Sequence, residues 1–111
     1  MTDPGTIQVN VRLLPPLSNT AGRDRVRLTL KKDKTLQGVI DGLLTQFDSR
    51  TFYLHLYDTE GRLVPAWQAF INKDPAVRLV ARDGLKTSVK DRDEITFLMA
   101  LAGGWLPQGR Y

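Results

Sequence analysis

The stretch that decides the fold lies near the end of the chain, where residues 91–104 read DRDEITFLMALAGG. A charged turn leads into residues 95–99, in which Ile95, Phe97 and Met99 alternate with their neighbours. Alternation with a period of two predicts a β-strand. Because the whole run is nearly continuous in apolar character, we expect this strand to have a neighbour on each side in a sheet.

Two further strands and one helix are predicted upstream of this stretch. Apolar and polar residues alternate over 7–13 and again over 26–31, which predicts two strands paired as a hairpin. A loop is predicted between these two strands, because Pro15 and Pro16 interrupt the first strand and residues 18–22 are small and polar. Thr35 is placed to cap an amphipathic helix. The apolar residues of that helix recur at spacings of three and four: Leu36, Val39, Ile40, Leu43, Leu44 and Phe47.

The middle of the chain has weaker patterns. Phe52, Leu54 and Leu56 alternate with polar or aromatic residues and favour a strand. Residues 67–71 predict a short strand closed by a turn, and residues 77–80 a connecting segment. The resulting order of two strands, one helix and further strands indicates the α+β class, a roll in which a mixed sheet packs on one main helix.

Composition restricts the chemistry that the chain can perform. At 111 residues, with 41% hydrophobic and 25% charged residues, it is expected to form one globular domain. It contains no cysteine, and therefore no disulfide, thiolate metal site or cysteine nucleophile. Neither a signal-peptide pattern nor an apolar run long enough to span a membrane is seen, so we expect a cytoplasmic protein without a membrane partner.

Basic residues are concentrated in one short stretch. The net charge is +4, and much of the excess comes from Arg23, Arg25, Arg27, Lys31, Lys32 and Lys34. This stretch could bind an acidic protein surface or nucleic acid, or it could protect an exposed strand edge from pairing with other chains. The second interpretation is favoured, and nucleic acid is not expected as a partner, because aromatic residues are not interleaved with the basic ones.

A hairpin, one helix and a closing strand that runs into Ala-Gly-Gly resemble the ubiquitin-like β-grasp sulfur carriers. These include the small subunit of molybdopterin synthase and the sulfur carrier of thiamine biosynthesis. Residues 69–73, AFINK, resemble the family's apolar strand ending in Val-Asn, and residues 91–95, DRDEI, its Asp-Gly-Asp-Glu turn. The resemblance covers roughly residues 8–104. Arg92 stands where the family has glycine, which predicts either another turn type or a non-glycine residue with a strained backbone.

The resemblance implies a protein substrate or carrier, not an enzyme, that works through its C-terminal carboxyl group. A partner adenylating (E1-like) enzyme would adenylate Gly104 with ATP and convert it to a thiocarboxylate, which donates sulfur to a cofactor, an amino acid or a tRNA base. Gly103 would provide reach, Ala102 and Leu101 would dock the tail, and Leu98 would contact the partner. No bound cofactor, no metal and no catalytic residue of its own are implied, and a cofactor-synthesis enzyme is a further expected partner.

The sequence continues past the glycines, whereas the family's active forms end at the second glycine. We therefore divide the chain into a flexible N-terminus (1–6), a β-grasp domain with its Gly-Gly tail (7–104) and a C-terminal propeptide (105–111). Cleavage would fall between Gly104 and Trp105. Similar modifier precursors are trimmed by a zinc metalloprotease or a cysteine protease. The alternative is that the extension folds back over an apolar patch.

Two other functional hypotheses remain open at this point. The chain could be a ubiquitin-like modifier conjugated to lysines of target proteins through Gly104, or a non-covalent interaction module that keeps its extension. Other candidate chemistry is weak. His55 is the only histidine and is expected to be structural, and the acidic residues at 91–94 are expected to form a solvated connector.

Overall fold

In the computed structural model, which describes residues 5–31 and 33–99, the chain forms five strands and three helices. They follow one another as β1 (Ile7–Leu13), α1 (Leu17–Ala21), β2 (Arg25–Leu30), α2 (Leu36–Gln46), α3 (Arg50–Leu56), β3 (Trp67–Ile71), β4 (Val77–Arg78) and β5 (Glu94–Met99). The strands form one mixed sheet in the order β2-β1-β5-β3-β4. Strands β1 and β5 are parallel, and the other neighbours are antiparallel.

Strand β5 lies at the centre of the sheet, as its apolar sequence predicts. It pairs with β1 on one side and with β3 on the other. Ile95 and Phe97 are completely buried on the side of the sheet that faces the core. The prediction of a strand with two neighbours is therefore confirmed, and the last strand is held by hydrogen bonds along both of its edges.

The hairpin of β1 and β2 and the helix that covers it are also confirmed. Ile7 lies opposite Leu30 and Val11 opposite Val26, so the apolar residues of both strands share one face. The Thr35 side chain accepts a hydrogen bond from the N–H of Gly38 and thereby caps α2. The buried face of α2 joins the buried face of the hairpin in one core.

The prediction of a loop over residues 18–22 is wrong, because helix α1 occupies most of this segment. Leu17 is completely buried, and anchoring it in the core draws the following residues into one short helix. Gly22 ends the helix with a φ of 78° and donates its N–H to the carbonyl of Ser18. Glycine takes this left-handed conformation readily, which makes it a common helix terminator.

The prediction of a strand around Phe52, Leu54 and Leu56 is also wrong, because these residues lie in helix α3. Ser49 caps this helix by accepting the N–H of Phe52 at 3.3 Å. Phe52 and Leu56, four residues apart, are both completely buried, while Leu54 is only half-buried. Over so short a run, the same apolar positions fit both the period of two of a strand and the spacing of four of a helix. The Ser49 cap and the burial of Phe52 and Leu56 in the core favour the helix.

The segment 77–80, predicted to be a connection, includes a two-residue edge strand. Gln68 and Ala69 of β3 pair with Arg78 and Val77 of β4. A strand this short offers few free backbone groups for pairing with another chain. It also places Leu79, which is buried, beside β3.

The charged turn before β5 holds two strands together. The side-chain amide of Asn72, which follows β3, donates to Asp93 at 2.9 Å and accepts the N–H of Glu94 at 3.0 Å. Asp93 also accepts the N–H of Lys90 at 2.8 Å. Arg92 has a φ of 70°, which confirms the predicted non-glycine residue in a strained backbone position.

We expect Arg92→Gly to raise the free energy of unfolding by roughly 0.5 kcal/mol. Relief of the left-handed conformation is worth about 1–2 kcal/mol, and the greater freedom of glycine in the unfolded chain removes about 0.4–1 kcal/mol of that gain. The ion pair of Arg92 with Asp91, at 3.9 Å and largely exposed, contributes little. Urea denaturation measures the change. Lys90→Gly, in the same turn but at a residue without a positive φ, is the control and should lower stability. A loss for both variants would contradict the assignment of strain to Arg92.

Candidate functional site

Strand β5 carries the chain toward the glycine pair from the centre of the sheet. Met99 ends this strand, and Gly104 follows five residues later in the sequence. An extended chain spans at most about 3.6 Å per residue, so five residues can reach at most about 18 Å. The predicted tail residues lie outside the described part of the chain, and their roles stay predictions: Leu101, Ala102, Gly103, Gly104 and Trp105.

Trp67 anchors the point from which the tail departs. It lies opposite Met99 in the pairing of β3 with β5 and is completely buried. Its indole N–H donates to the carbonyl of His55 at 2.7 Å, and its own carbonyl accepts the N–H of Leu79 at 3.1 Å. The end of the tail-bearing strand is therefore tied to α3 and to the segment after β4.

Leu98, the residue predicted to contact a partner, lies on the face of the sheet opposite the helices. It is half-buried and lies opposite Gln68 of β3. Phe70, also half-buried, occupies the same face and lies opposite Thr96, diagonally adjacent to Leu98. Neither residue belongs to the core or packs against it. Leu98 and Phe70 thus form a small apolar patch, which we call the open-face patch, on the face of the sheet away from the core.

Sequence reasoning missed Phe70 as a candidate partner residue. The predicted strand over 67–71 was correct, but both of its faces are rich in apolar residues, with Trp67, Ala69 and Ile71 on the buried side. Phe70 could have been identified from its position three residues after Trp67 in the same strand. Adjacent residues of a strand point to opposite faces, and a buried Trp67 therefore places Phe70 on the open face.

Arginines surround the open-face patch. Arg12 of β1 lies opposite both Thr96 of β5 and Arg25 of β2, and Arg78 of β4 lies opposite Gln68. Arg25 is within 3.6 Å of Glu94, and both side chains are well exposed. The patch therefore combines an apolar centre with a positively charged periphery.

Within the basic stretch, residues 25–30 form an edge of the sheet. Strand β2 is the outermost strand on its side, and Arg25, Arg27 and Thr29 are exposed along it. Charged side chains on an edge strand discourage pairing with other chains. The position of β2 thus agrees with the interpretation that was favoured from sequence.

His55 makes a structural contact between two helices. Its ring Nε2 lies 2.8 Å from the hydroxyl of Thr20, and the ring is half-buried. In the described ranges 5–31 and 33–99, no group of three potential metal ligands comes together. The contact with Thr20 agrees with the structural role predicted for His55.

The acidic turn at 91–94 lies at the end of β5 opposite the tail. Glu94 and Met99 are the first and last of the six residues of this strand, which places them about 16–17 Å apart. Its hydrogen bonds go to Gln8, Lys90 and Asn72, all of which belong to the scaffold. The turn shapes the sheet, and it does not lie where the tail departs from β5.

Within the parts of the chain that the structure describes, no helix is both long enough and apolar enough to cross a membrane.

The fold is similar to those of several small proteins of known structure. SAMP1 from Haloferax volcanii is 20% identical, with a TM-score of 0.68, and the match covers 87% of this chain and 99% of that one. A chain of the Amycolatopsis orientalis BexX/CysO complex is 26% identical, with a TM-score of 0.62, over 86% of this chain and 99% of that one. A candidate molybdopterin converting factor subunit 1 from Pyrococcus furiosus is 15% identical, with a TM-score of 0.58, over 86% and 99% respectively.

No protein-family model matches this sequence, and neither does the sequence of any curated protein. The similar structures confirm the ubiquitin-like β-grasp fold that was predicted from the sequence order. They also confirm, at the level of the fold, the resemblance to small carrier and modifier proteins that the residues indicated. The match covers 99% of the length of each of these three chains.

Proposed function

We propose that this protein is the precursor of a sulfur carrier, trimmed after Gly104 and then thiocarboxylated at that residue. The observation that carries the proposal is the position of Gly103-Gly104. The pair follows the central strand of a β-grasp sheet by a few residues, beyond a strand end that Trp67 fixes in place. A rigid domain bearing a short glycine-ended tail is suited to present a carboxyl group inside the active site of a partner.

The chemistry explains why glycine suits these two positions. In the proposed reaction the Gly104 carboxylate attacks the α-phosphorus of ATP in the partner adenylating enzyme, and pyrophosphate leaves. A sulfur nucleophile then attacks the acyl carbon and displaces AMP. The partner must enclose the acyl carbon, and residues without a β-carbon allow the closest approach of backbone to protein. ATP is bound by the partner, which agrees with a cytoplasmic location.

Residues 105–111 must be removed before this chemistry, because a carboxyl group held in the peptide bond to Trp105 cannot be adenylated. A protease, in the proposed scheme a zinc metalloprotease, would cut after Gly104. Pro107 has no N–H to donate to a sheet, a property that suits a segment offered to a protease.

The intact mass of the protein isolated from its native cells tests the proposal. We expect a mass corresponding to a chain that ends at Gly104, with part of the population heavier by the replacement of one oxygen by sulfur. A mass that includes Trp105 to Tyr111 in essentially all molecules would contradict the proposal. It would favour a non-covalent interaction module that keeps its extension.

The second candidate function is a protein modifier conjugated to lysines through the same carboxyl group. The names of two similar structures, both described as small archaeal modifier protein 1, favour including it. Carrier and modifier share one activation step, and the two are distinguished by the product. Isopeptide-linked adducts of Gly104 in cell lysates indicate a modifier, and a free thiocarboxylate indicates a carrier.

We expect the open-face patch to contact the adenylating enzyme, and Leu98→Asp to slow activation about thirtyfold. Apolar anchors at the centre of an interface are typically worth 2 kcal/mol or more when removed, and the new carboxylate would also be desolvated. The measurement is ATP–pyrophosphate exchange at limiting carrier concentration. Thr29→Asp introduces the same charge on the same face of the sheet, at the edge strand β2. Equal rates for Leu98→Asp and Thr29→Asp would remove the basis for this interface.

A further inference from the structure

A second surface, separate from the tail and from the open-face patch, forms a groove of about 630 Å³ on the helix side of the sheet. Its walls come from the start of α2, from residues 62–63 and from the loop 79–86. We call it the α2 groove. Its size falls within the range of pockets that hold ligands of a few hundred daltons.

The α2 groove is built by a fixed loop. Leu85 and Thr87 accept the N–H groups of Gln37 and Leu36, the first residues of α2, each at 3.0 Å. Val89 donates its N–H to Lys34 at 2.8 Å. These bonds satisfy helix N–H groups that have no partner within the helix, and they hold the loop against α2.

The loop is also folded tightly on itself. Gly84 donates to Ala81 at 2.9 Å, and a β-carbon at Gly84 would lie 2.2 Å from the carbonyl oxygen of Arg78. Glycine is thus required for the loop to lie this close to the end of β4. The walls of the groove therefore exist before any partner binds, which lowers the entropy lost on binding.

The floor of the α2 groove is apolar. Leu79 is buried, Leu63 and Leu85 are half-buried, and Val80 beside them is 41% exposed. Among the described residues, Val80 is the large hydrophobic side chain that stands out as exposed. An exposed valine held in place by an ordered loop marks a surface suited to an apolar side chain of a partner.

The rim of the groove is positively charged. Arg82 and Lys86 are exposed, and neither forms an ion pair within residues 5–31 and 33–99. Arg62, the third cation, is already engaged by Asp58 and Glu60. The backbone N–H of Arg62 donates to Asp58 at 2.9 Å, and this hydrogen bond lowers the pKa of the Asp58 carboxyl group from its ordinary value.

Among the described residues that line the groove, the carboxylate is Asp33, and it is also engaged. Asp33 accepts a hydrogen bond from the hydroxyl of Thr35, the residue that caps α2. It therefore has a partner of its own close by, whereas Arg82 and Lys86 form no ion pair with any described carboxylate. The groove presents an apolar floor next to two exposed cations that form no ion pair among the described residues.

We infer that the α2 groove binds a short peptide segment of a partner protein, in which apolar residues are flanked by aspartate or glutamate. The apolar side chains would lie on Leu63, Leu79 and Val80, and the carboxylates would pair with Arg82 and Lys86. Charge complementarity selects this occupant over a neutral or basic segment. The inference does not depend on Gly104 or on activation of the tail.

The test is a titration of the full-length ¹⁵N-labelled protein with the acetylated, amidated hexapeptide Asp-Glu-Leu-Leu-Asp-Glu, followed by NMR. We expect shift changes confined to residues 33–37, 62–63 and 79–86, with a dissociation constant of about 0.1–1 mM. Doubling the ionic strength should weaken binding, because exposed charges are screened by salt. A peptide with serines in place of both leucines should produce no saturable shifts.

Matched charge reversals locate the binding surface. The double variant Arg82→Glu with Lys86→Glu should weaken binding about tenfold, and Val80→Ser about threefold. The control, Arg23→Glu with Arg27→Glu, makes the same change in net charge away from the groove, at the β2 side of the sheet, and should alter binding less than twofold. Well-dispersed spectra confirm that each variant is folded.

Three outcomes would overturn the inference. Equal weakening by both charge reversals would indicate general attraction between a basic protein and an acidic peptide. No saturable shift at about 2 mM peptide would leave the groove without the proposed ligand. Binding seen only in a chain that ends at Gly104 would assign the groove to the protein's own residues 105–111.

Discussion

We expect a chain ending at Ala102 to be adenylated far more slowly than a chain ending at Gly104. Removing Gly103 and Gly104 leaves a free carboxyl group but shortens the reach of the tail by about 7 Å. A displacement of even 1 Å from the productive position can cost about a hundredfold in rate, so we expect a loss of at least roughly a thousandfold. ATP–pyrophosphate exchange with the adenylating enzyme of the same cells measures the rate.

Two controls separate reach from other effects. Gly104→Ala in the trimmed chain keeps the length and tests whether a β-carbon is tolerated at the reacting residue; we expect an intermediate loss. The full-length chain, in which residue 104 has no free carboxyl group, should be inactive until it is cleaved. Adenylation of the full-length chain at the rate of the trimmed one would contradict the assignment of Gly104 as the reacting residue.

Trp67→Ala should cost about 4 kcal/mol of folding stability, the largest loss that we expect from one substitution. Replacing a completely buried aromatic residue by alanine costs about 3–5 kcal/mol, and the hydrogen bond from the indole N–H to His55 is lost as well. Domains of this size are stable by only about 5–15 kcal/mol, so this one substitution should remove between about a quarter and four fifths of the stability. Thermal and urea denaturation measure the loss.

Trp67→Phe is the matched variant, because it fills most of the space but has no N–H. Its loss should be about 1–2 kcal/mol, which reports the hydrogen bond and the smaller ring. The other tryptophan distinguishes the two interpretations of the C-terminal extension. If residues 105–111 form a propeptide, Trp105→Ala leaves stability unchanged. A loss comparable to that of Trp67→Phe would show instead that the extension packs against the domain.

The strands that could be predicted from sequence are those with one clear apolar face or an apolar run. Strands β1 and β3 have the predicted bounds, and α2 begins after the predicted cap Thr35. In each of these elements the local pattern and the burial in the core agree. In these elements the local sequence pattern and the packing of the whole domain favour the same structure, so the pattern alone was sufficient to predict the element.

The errors fall where a short pattern fits two structures. Helix α3 has seven residues, and its apolar positions satisfy a period of two as well as a spacing of four. Helix α1 has five residues of mostly turn-forming type, and it forms because Leu17 is buried. Such short helices are marginal in isolation and take most of their stability from tertiary contacts.

Some features of the candidate site could be predicted from sequence and others could not. The glycine pair, the absence of cysteine and the charged turn before the last strand can be read from the sequence, because each depends on residue identity at known positions. The open-face patch and the α2 groove cannot be read in this way. Each brings together residues from distant parts of the chain, such as Phe70 with Leu98, or Leu63 with Val80.

The sequence by itself determined the order of the main strands and the helix that covers them. These follow from periodicity, which is a local property. The chemistry proposed for Gly103 and Gly104 is what the resemblance to the sulfur carriers implies. Only the tertiary structure decided which face of β5 is open, which cations form no ion pair among the described residues and which exposed valine an ordered loop holds in place. Burial and pairing depend on what the rest of the chain places beside each residue, and no local pattern contains that information.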